Sequence, residues 1–264
     1  GNGNVTASVP ADAIRNAAKK AKEEIEVKVD TDAGRSVRVE IPAGDLSDAA
    51  GEALGLAVDA GLARVGVPSE TLRQMLGDKP AGKLTLSVTR VDAGALPAEA
   101  SAVVGNRPVF DFSMEVNGTK IERFSAALTV TIPYTLQPGE DPHKIVIYYI
   151  NADGKLEIVT NGASDGASGT ATFKTDHFSR YAVAYRNVGF SDLSGFSWAA
   201  EAIEALHARD VVKGKGAGAF DPQGSVTRAE FVTMLVNALA LAPAAGGTDA
   251  AFADVRSGLW YSDA

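Results

Sequence analysis

Apolar and polar residues alternate with a period of two through most of the middle of the sequence, from Lys83 to Tyr185. Alternation of this kind is typical of strands that bury one face. The alternating apolar positions include Leu84, Leu86, Val88, Phe110, Phe112, Met114, Leu128, Val130, Ile132, Ile145, Ile147 and Tyr149. Asn117-Gly118 and Asn151-Ala152-Asp153-Gly154 supply hairpin turns between such runs. Many short strands with turns of this type predict an antiparallel β-sandwich.

A β-branched residue followed by proline occurs three times before this region. The three copies are Val9-Pro10-Ala11, Ile41-Pro42-Ala43 and Val67-Pro68-Ser69, each with an apolar residue four positions after the proline. Proline fixes φ at the first turn of a helix, so each copy indicates a strand-to-helix junction. The spacing predicts one helix over Asp12–Glu26 and another from Leu46 to about Ala63. Between them, residues 27–41 are expected to form a strand pair that turns at Asp32-Ala33-Gly34.

The pattern changes again near Asn187. Apolar residues from Trp198 to Ala208 have helical spacing, a glycine-rich connection follows, and Thr227 with Glu230 forms a capping box that opens a second helix. The apolar face of the second helix would consist of Phe231, Met234, Leu235, Ala238 and Leu239. The fold class expected for the whole chain is α+β, with N-terminal helices plus an antiparallel β-sandwich and then a C-terminal all-α helix-loop-helix unit.

The C-terminal unit contains an internal repeat. Phe190-Ser191-Asp192 with Trp198 recurs as Phe252-Ala253-Asp254 with Trp260, and the Phe-to-Trp spacing is eight in both copies. Further positions of the pattern are Leu206, Val212-x-Gly214, Phe220-Asp221-Pro222 and Thr227-Arg228-Ala229-Glu230-Phe231. Together they resemble the S-layer homology module of bacterial cell-envelope proteins. Leu193 in place of the usual valine, and the glycine-rich Lys215–Gly218, depart from the family pattern.

The resemblance implies a Gram-positive extracellular protein, located at the cell wall or S-layer and built of three parts. These would be a helix and β-sandwich spacer over 4–186, a first S-layer homology repeat over 189–248 and the truncated start of a second over 252–264. In this family three units usually form a bundle whose grooves hold secondary cell-wall polysaccharide, often with an anionic pyruvate ketal. The implied function is noncovalent anchoring of a larger protein, with the sandwich as spacer. The rival hypothesis is the accessory region of a cell-surface glycoside hydrolase.

Four residues are candidates for glycan binding. The family's groove arginine and glycine correspond to Arg228 and Gly214, and Trp198 and Asp192 are weaker candidates. An arginine at a helix start offers several donors beside the positive end of the dipole, which suits a carboxylate or phosphate. We expect Trp198 to be a core ring and Asp192 a cap or turn residue, whereas the sequence leaves ligand and structural roles equally open for Arg228. With one complete unit, the chain is expected to bind glycan weakly or not at all, and to self-associate through the truncated repeat.

A second short string, Asp176-His177-Phe178-Ser179, resembles the His-Phe-Ser site of some self-cleaving β-sandwich and nucleoporin domains. That resemblance would make Ser179 the nucleophile, His177 the base and Phe178-Ser179 the bond that is cut. The same string serves as a turn into the terminal strand of surface spacers. The structural role is the one we expect, with self-cleavage as the alternative.

Composition excludes several other classes. The chain has 25 Lys+Arg against 33 Asp+Glu, a net charge of −8, so no basic surface for nucleic acid or for a membrane is predicted. Without cysteine there is no thiolate site, and the three histidines are too far apart in sequence to suggest a metal site, so no cofactor is expected.

No apolar run reaches membrane-spanning length, and the first residues do not form a leader. Tyr148-Tyr149 places one ring on each face of a strand, which leaves carbohydrate binding as a third possibility, but one core ring and one ordinary surface ring are expected there.

Overall fold

The computed structural model describes residues 3–30, 34–77 and 81–241. Its strands are β1 (Asn4–Ser8), β2 (Glu24–Lys28), β3 (Ser36–Pro42), β4 (Gly55–Asp59), β5 (Arg64–Val67), β6 (Lys83–Val91), β7 (Val109–Val116), β8 (Thr119–Lys120), β9 (Arg123–Pro133), β10 (Ile145–Ile150), β11 (Leu156–Ile158), β12 (Ala163–Asp165), β13 (Thr170–His177) and β14 (Arg180–Tyr185). Its helices are α1 (Ala11–Ala18), α2 (Ala43–Gly51), α3 (Ser69–Leu76), α4 (Ala98–Val104), α5 (Ser197–Ala208) and α6 (Arg228–Leu239), with short 3-10 turns at Ala93–Ala95 and Pro142–Lys144.

The strands form two sheets, as the alternating sequence predicts. One has the order β1-β3-β6-β7-β14-β10-β11, with β8 paired to β7, and the other has the order β12-β13-β9-β5-β4-β2. Most pairs are antiparallel, but β1 with β3 and β2 with β4 are parallel. These parallel pairs arise because the chain alternates between the sheets, passing from β1 through α1 to β2 and from β3 through α2 to β4.

One apolar core joins the two sheets and the first three helices. Phe112 of the larger sheet and Phe173 of the smaller sheet are both almost fully buried in it. Ile14, Leu46 and Leu72, each four residues after a junction proline, are buried in the same core. Burying apolar side chains from every layer is the main stabilisation of such a fold, at about 25 cal/mol per Å² of apolar surface. The chain is therefore an α+β sandwich followed by a helical unit.

The three proline junctions are confirmed. Pro10, Pro42 and Pro68 are the N-cap residues of α1, α2 and α3. A fourth proline, Pro97, is the N-cap residue of α4 and was missed, although it follows the 3-10 turn Ala93–Ala95 instead of a strand. Ser101 stands four positions after Pro97, where the other copies carry an apolar residue, so the sequence pattern did not include it.

Both long N-terminal helices were predicted wrongly. The helix expected over Asp12–Glu26 ends at Ala18, because the following Glu24–Lys28 alternates strictly between exposed and buried residues and forms β2. The helix expected from Leu46 to Ala63 ends at Gly51. Ala53 then adopts φ 64°, a left-handed conformation that a right-handed helix cannot continue through.

The strand pair expected over residues 27–41 is also wrong. β2 pairs with β4 in the smaller sheet, whereas β3 pairs with β1 and β6 in the larger one. Both predicted hairpins are confirmed: β7 turns into β8 at Asn117-Gly118, and β10 turns into β11 through residues 151–154. Asn117 and Gly118 have φ values of 55° and 79°, which suit a tight turn of the primed type.

The helix-loop-helix unit that follows β14 consists of α5 and α6, as predicted. Its second helix differs from expectation in packing, since none of its residues is buried in the described part of the chain. Phe231, Leu235 and Leu239 are 60%, 47% and 55% exposed. The end of the predicted first repeat and the predicted second copy at 252–264 lie outside the described residues.

Candidate functional site

The start of α6 is fixed by a capping box between Thr227 and Glu230. The Glu230 N–H donates to Thr227 Oγ1 at 3.2 Å, and the Thr227 N–H donates to Glu230 Oε2 at 2.8 Å. Two backbone donors that the helix leaves free are thereby satisfied. Because Arg228 is the first residue of α6, the capping box also fixes the backbone that carries its guanidinium.

Lys215 ties the glycine-rich loop to the same helix start. Its Nζ donates to Glu230 Oε1 at 2.5 Å. The hydrogen bonds from Lys215 and from the Thr227 backbone lower the pKa of Glu230 from 4.5 to about 2, and the same pairing raises the pKa of Lys215. Glu230, the acidic residue of the first turn, is therefore ionised and fully engaged at neutral pH.

Asp192 holds the other end of that loop. Its Oδ1 accepts from the Phe220 N–H at 2.9 Å and its Oδ2 accepts from the Asp221 N–H at 2.8 Å. These backbone hydrogen bonds lower the pKa of the Asp192 carboxyl. Asp192 therefore ties together segments that are 28 and 29 residues apart in sequence, and is not the local cap or turn residue that the sequence analysis expected.

Gly214 lies against an aromatic cluster inside the unit. A Cβ at this position would lie 2.5 Å from Phe190 Cε1 and 2.6 Å from the Ala219 carbonyl oxygen. The Phe190 ring also stacks near Phe220 and His207, with centroids 5.2 and 4.5 Å away. Close packing within the unit is therefore sufficient reason for a glycine here, independent of any sugar.

Arg228 is exposed and makes no hydrogen bond or ion pair with any residue that the structure describes. It lines a shallow surface depression together with Val226, Thr227, Phe231 and Val232. Val226 and Phe231 are each 60% exposed. The depression thus combines an unpaired cation, a helix N-terminus and an apolar wall. The sequence analysis did not place Val226 or Phe231 beside Arg228. It assigned Phe231 to the apolar face of the second helix and gave Val226 no role.

Trp198 is 86% exposed at the first turn of α5, so the expectation that it is a core ring is wrong. The structure joins Asp192 and Gly214 through the loop and Phe190, whereas the depression at Arg228 is lined by neither of them. Within the described ranges, Trp198 shares no hydrogen bond or ring contact with those three residues.

The Lys215–Glu230 pair gives the helix start a defined pH dependence. Because the pKa of Glu230 falls from 4.5 to about 2 on folding, its contribution to stability is present above pH 4.5 and is lost as pH falls towards 2. We expect the protection factors of amides in the first turn of α6, which correct for the intrinsic exchange rate at each pH, to fall over that range. Glu230→Gln, which retains capping capacity without the charge, should flatten the profile. The same acid response in both proteins would contradict this assignment.

The candidate self-cleavage site lies at the end of β13. His177 Nδ1 lies 2.8 Å from Asp176 Oδ1, and the His177 ring contacts Tyr149 edge-on. The Ser179 hydroxyl donates to the Ile150 carbonyl at 3.4 Å, and no hydrogen bond joins it to His177 in the described part of the chain. Phe178 is buried in the main core. These contacts are those of a packed turn into β14.

We therefore expect the purified chain to run as one band on a denaturing gel, and Ser179→Ala to leave the pattern unchanged. The physical reason is that the Ser179 hydroxyl and the His177 ring are engaged with other groups. Two fragments of about 178 and 86 residues, the lengths given by a cut after Phe178, would establish self-cleavage if Ser179→Ala abolished them.

The described residues offer no further site of the kinds considered from the sequence. They contain no group of three or more His, Cys, Asp or Glu side chains placed to hold a metal ion. None of the helices described there has the length and apolar character required to cross a membrane. Tyr148 and Tyr149 are not a sugar platform, since Tyr148 is buried and Tyr149 packs against the main core.

Residues 189–232 match the S-layer homology domain family. Amylopullulanase of Thermoanaerobacterium thermosulfurigenes is 34% identical over 138 residues, 52% of this chain and 7% of that enzyme. Endo-1,4-beta-xylanase A of Thermoanaerobacterium saccharolyticum is 38% identical over 79 residues, 30% of this chain and 7% of the enzyme. An S-layer-related protein of Niallia circulans is 45% identical over 56 residues, 21% of this chain and 3% of that protein. The matched parts are thus small fractions of much longer proteins.

The domain and the S-layer relatives indicate an extracellular location in the cell wall or S-layer. They also indicate a role in cell-wall anchoring. The S-layer homology domain is a non-catalytic anchoring module. The resemblance inferred from the repeated Phe-x-Asp and Trp pattern is confirmed for the first copy. The chain carries an S-layer homology domain at residues 189–232, of the kind found in Gram-positive surface proteins.

Proposed function

We propose that this chain attaches a larger extracellular protein noncovalently to secondary cell-wall polysaccharide, with the sandwich as a spacer. The observation that carries the proposal is Arg228, an exposed guanidinium that has no partner among the described residues and lies at the start of α6. An S-layer homology domain implies wall anchoring, and Arg228 is the group in it best suited to bind an external ligand.

An anionic sugar fits the charges around Arg228. The helix N-terminus carries partial positive charge, which disfavours a lone cation and favours a bound anion. Glu230 could neutralise Arg228, but its oxygens are already bonded to Lys215 and Thr227. A pyruvate ketal or a phosphate on the polysaccharide would supply the missing negative charge, and a guanidinium can bind either in a bidentate manner.

The apolar wall of the depression suits the carbon face of a sugar ring. Val226 and Phe231 flank Arg228 and remain mostly exposed. Binding sites for small ligands typically combine apolar walls with a few fixed polar groups. Trp198, with 86% exposure, could form a further groove wall, whereas Asp192 and Gly214 would shape the loop beside the site.

The amylopullulanase match extends the argument to the sandwich. Only 76 residues lie between Gly189 and Ala264, so a match of 138 residues must include part of the sandwich. A sequence similar to part of the sandwich therefore occurs in that enzyme. This supports a second candidate function, in which the chain is the accessory region of a cell-surface glycoside hydrolase.

Calorimetric titration with purified secondary wall polysaccharide tests the ligand. A longer chain with a complete set of repeats should bind the native polymer, and should bind it more weakly once the ketal is removed by mild acid. The present chain, with one complete copy of the pattern, should bind weakly or not at all. Tight binding by the present chain would contradict the expectation that several units are needed, and equal affinity for both polymers would exclude the ketal as the ligand group.

We also propose that the chain self-associates. The contact expected from the sequence is the truncated repeat at 252–264, which lies outside the described residues, so the described surface considered for this contact is that of α6. Its exposed Phe231, Leu235 and Leu239 form an apolar face, which a second copy of the chain could cover. Sedimentation should show a concentration-dependent increase in mass that Leu235→Glu abolishes. Val103→Glu is the matched control, because Val103 is a sandwich residue with the same 47% exposure. A monomer at all concentrations, or equal effects of both substitutions, would exclude this face as the contact.

A further inference from the structure

The strands β10 and β14 are buried on both faces. Their residues alternate between two apolar clusters: Ile147 and Val183 belong to the main core, whereas Tyr148 and Ala184 belong to a second cluster. The second cluster therefore lies on the outer face of the larger sheet. The smaller sheet packs against the inner face, so a different part of the chain must cover this outer face.

Two segments provide that cover. α4 and the turn before it contribute Leu96, Ala100 and Val104 to the second cluster. The other contribution comes from the S-layer homology unit, whose Ala208 at the end of α5 is fully buried in the same cluster. Val188, in the connection between the two parts, packs against it as well. The outer face of the sheet is thus completed by a helix of the wall-anchoring unit.

Charges across this contact are complementary. The basic side chains, a lysine, an arginine and a histidine, come from the sandwich or its last residues, and the acids come from the S-layer homology unit. The three pairs are Lys144 with Glu204 at 2.5 Å, Arg186 with Asp210 at 2.6 Å and His143 with Glu201 at 3.0 Å. The Lys144 side chain is only 12% exposed and that of Glu204 23%, so this pair is screened far less than a surface pair.

Arg186 also caps α5. Its Nη1 donates to the Ala208 carbonyl at 2.9 Å and to the His207 carbonyl at 3.3 Å. The last carbonyls of a helix lack intrahelical partners and carry partial negative charge, so a cation there stabilises the helix end. Arg186, the residue directly after β14, therefore supplies hydrogen bonds that the end of α5 lacks.

We infer that the outer face of β10 and β14 is a docking surface for the S-layer homology unit of the same chain, and that the two parts unfold as one cooperative unit. The sandwich is then a rigid extension of the anchor, with no flexible joint between them. Each part satisfies groups that the other leaves open: the unit covers the second cluster, and the sandwich caps α5 and pairs its acids. This inference does not depend on which glycan the anchor binds.

Calorimetric melting and hydrogen exchange of the full chain test the inference. We expect one unfolding transition, and we expect Asp210→Asn to lower its midpoint by about 2 to 4 °C, since it removes the charge from a partly exposed pair. Asparagine is used because it tolerates the left-handed φ of 57° at this position, which alanine does not. The same substitution should accelerate exchange in peptides covering Ile145–Ile150 and Arg180–Tyr185, which belong to the sandwich. Lys213→Ala is the control, because Lys213 is an exposed cation of the same unit without a partner among the described residues.

A charge exchange distinguishes docking from general destabilisation. Lys144→Glu and Glu204→Lys should each lower the midpoint, and the double variant should recover at least half of the loss. Two separate transitions, with Asp210→Asn affecting only the S-layer homology unit and leaving exchange in the sandwich strands unchanged, would overturn the inference. Additive losses in the double variant would overturn the assigned Lys144–Glu204 contact.

Discussion

Arg228→Ala should weaken binding to wall polysaccharide by about 1.5 to 3 kcal/mol, which is a loss of about 10- to 150-fold in affinity. The measurement requires a chain with its complete set of repeats, so that the groove is assembled. The expected size is that of one charge-assisted contact, because Arg228 has no internal partner within the described residues whose loss would add a structural cost. Thermal stability should accordingly stay unchanged.

Two variants make the Arg228 result specific. Arg228→Lys keeps the charge but loses the planar fork, so it should recover only part of the affinity if the ligand is held in a bidentate manner. Lys213→Ala removes an exposed cation of the same unit and should have little effect. Unchanged affinity in Arg228→Ala would contradict a role for this arginine in the site. A loss equal to that of Lys213→Ala would indicate only a general effect of charge.

Gly214→Ala should destabilise the S-layer homology unit by about 1 to 3 kcal/mol. The added Cβ would lie 2.6 Å from the Ala219 carbonyl oxygen and 2.5 Å from a carbon of the Phe190 ring. The backbone of the loop must shift to relieve the first contact, and the loop is held at Asp192 and at Glu230. A fall of several degrees in the melting midpoint is therefore expected.

Gly195→Ala is the matched control for this prediction. A Cβ at Gly195 would meet nothing within 4 Å, and Gly195 belongs to the same unit. It should melt like the parent protein. If Gly214→Ala also melted like the parent but lost glycan affinity, the packing explanation would be wrong and the role of Gly214 would be to admit the sugar to the backbone.

Local features of the fold could be predicted from sequence because they depend on neighbouring residues. The capping box at Thr227 and Glu230 needs only its own turn, and the junctions at Pro10, Pro42 and Pro68 need only the fixed φ of proline. The prediction of a helix over residues 12–26 was wrong because the position of Ile25 fits both the helical period of 3.6 residues and the strand period of two. Pairing with β4 decides between them, and that pairing is not local.

The candidate site could be predicted only as a set of residues, for a related reason. Whether Trp198 or Phe231 is buried depends on which distant segments cover α5 and α6, which the spacing of apolar residues does not specify. The same holds for the contact of α5 with the sandwich, where Arg186 and Asp210 are 24 residues apart in sequence. The role of Asp192 was missed for the same reason, since its carboxylate binds the backbone N–H groups of Phe220 and Asp221, 28 and 29 residues away.

Co-sedimentation with purified wall sacculi, before and after extraction of the secondary polysaccharide, tests the anchoring proposal most directly. The present chain should be compared with a longer one that continues through a complete set of repeats. We expect the longer chain to sediment with intact sacculi and to be released once the polysaccharide is extracted, while the present chain binds weakly or not at all. Failure of both chains to bind intact sacculi, or binding that survives the extraction, would contradict the proposal that the secondary polysaccharide is the anchor's ligand.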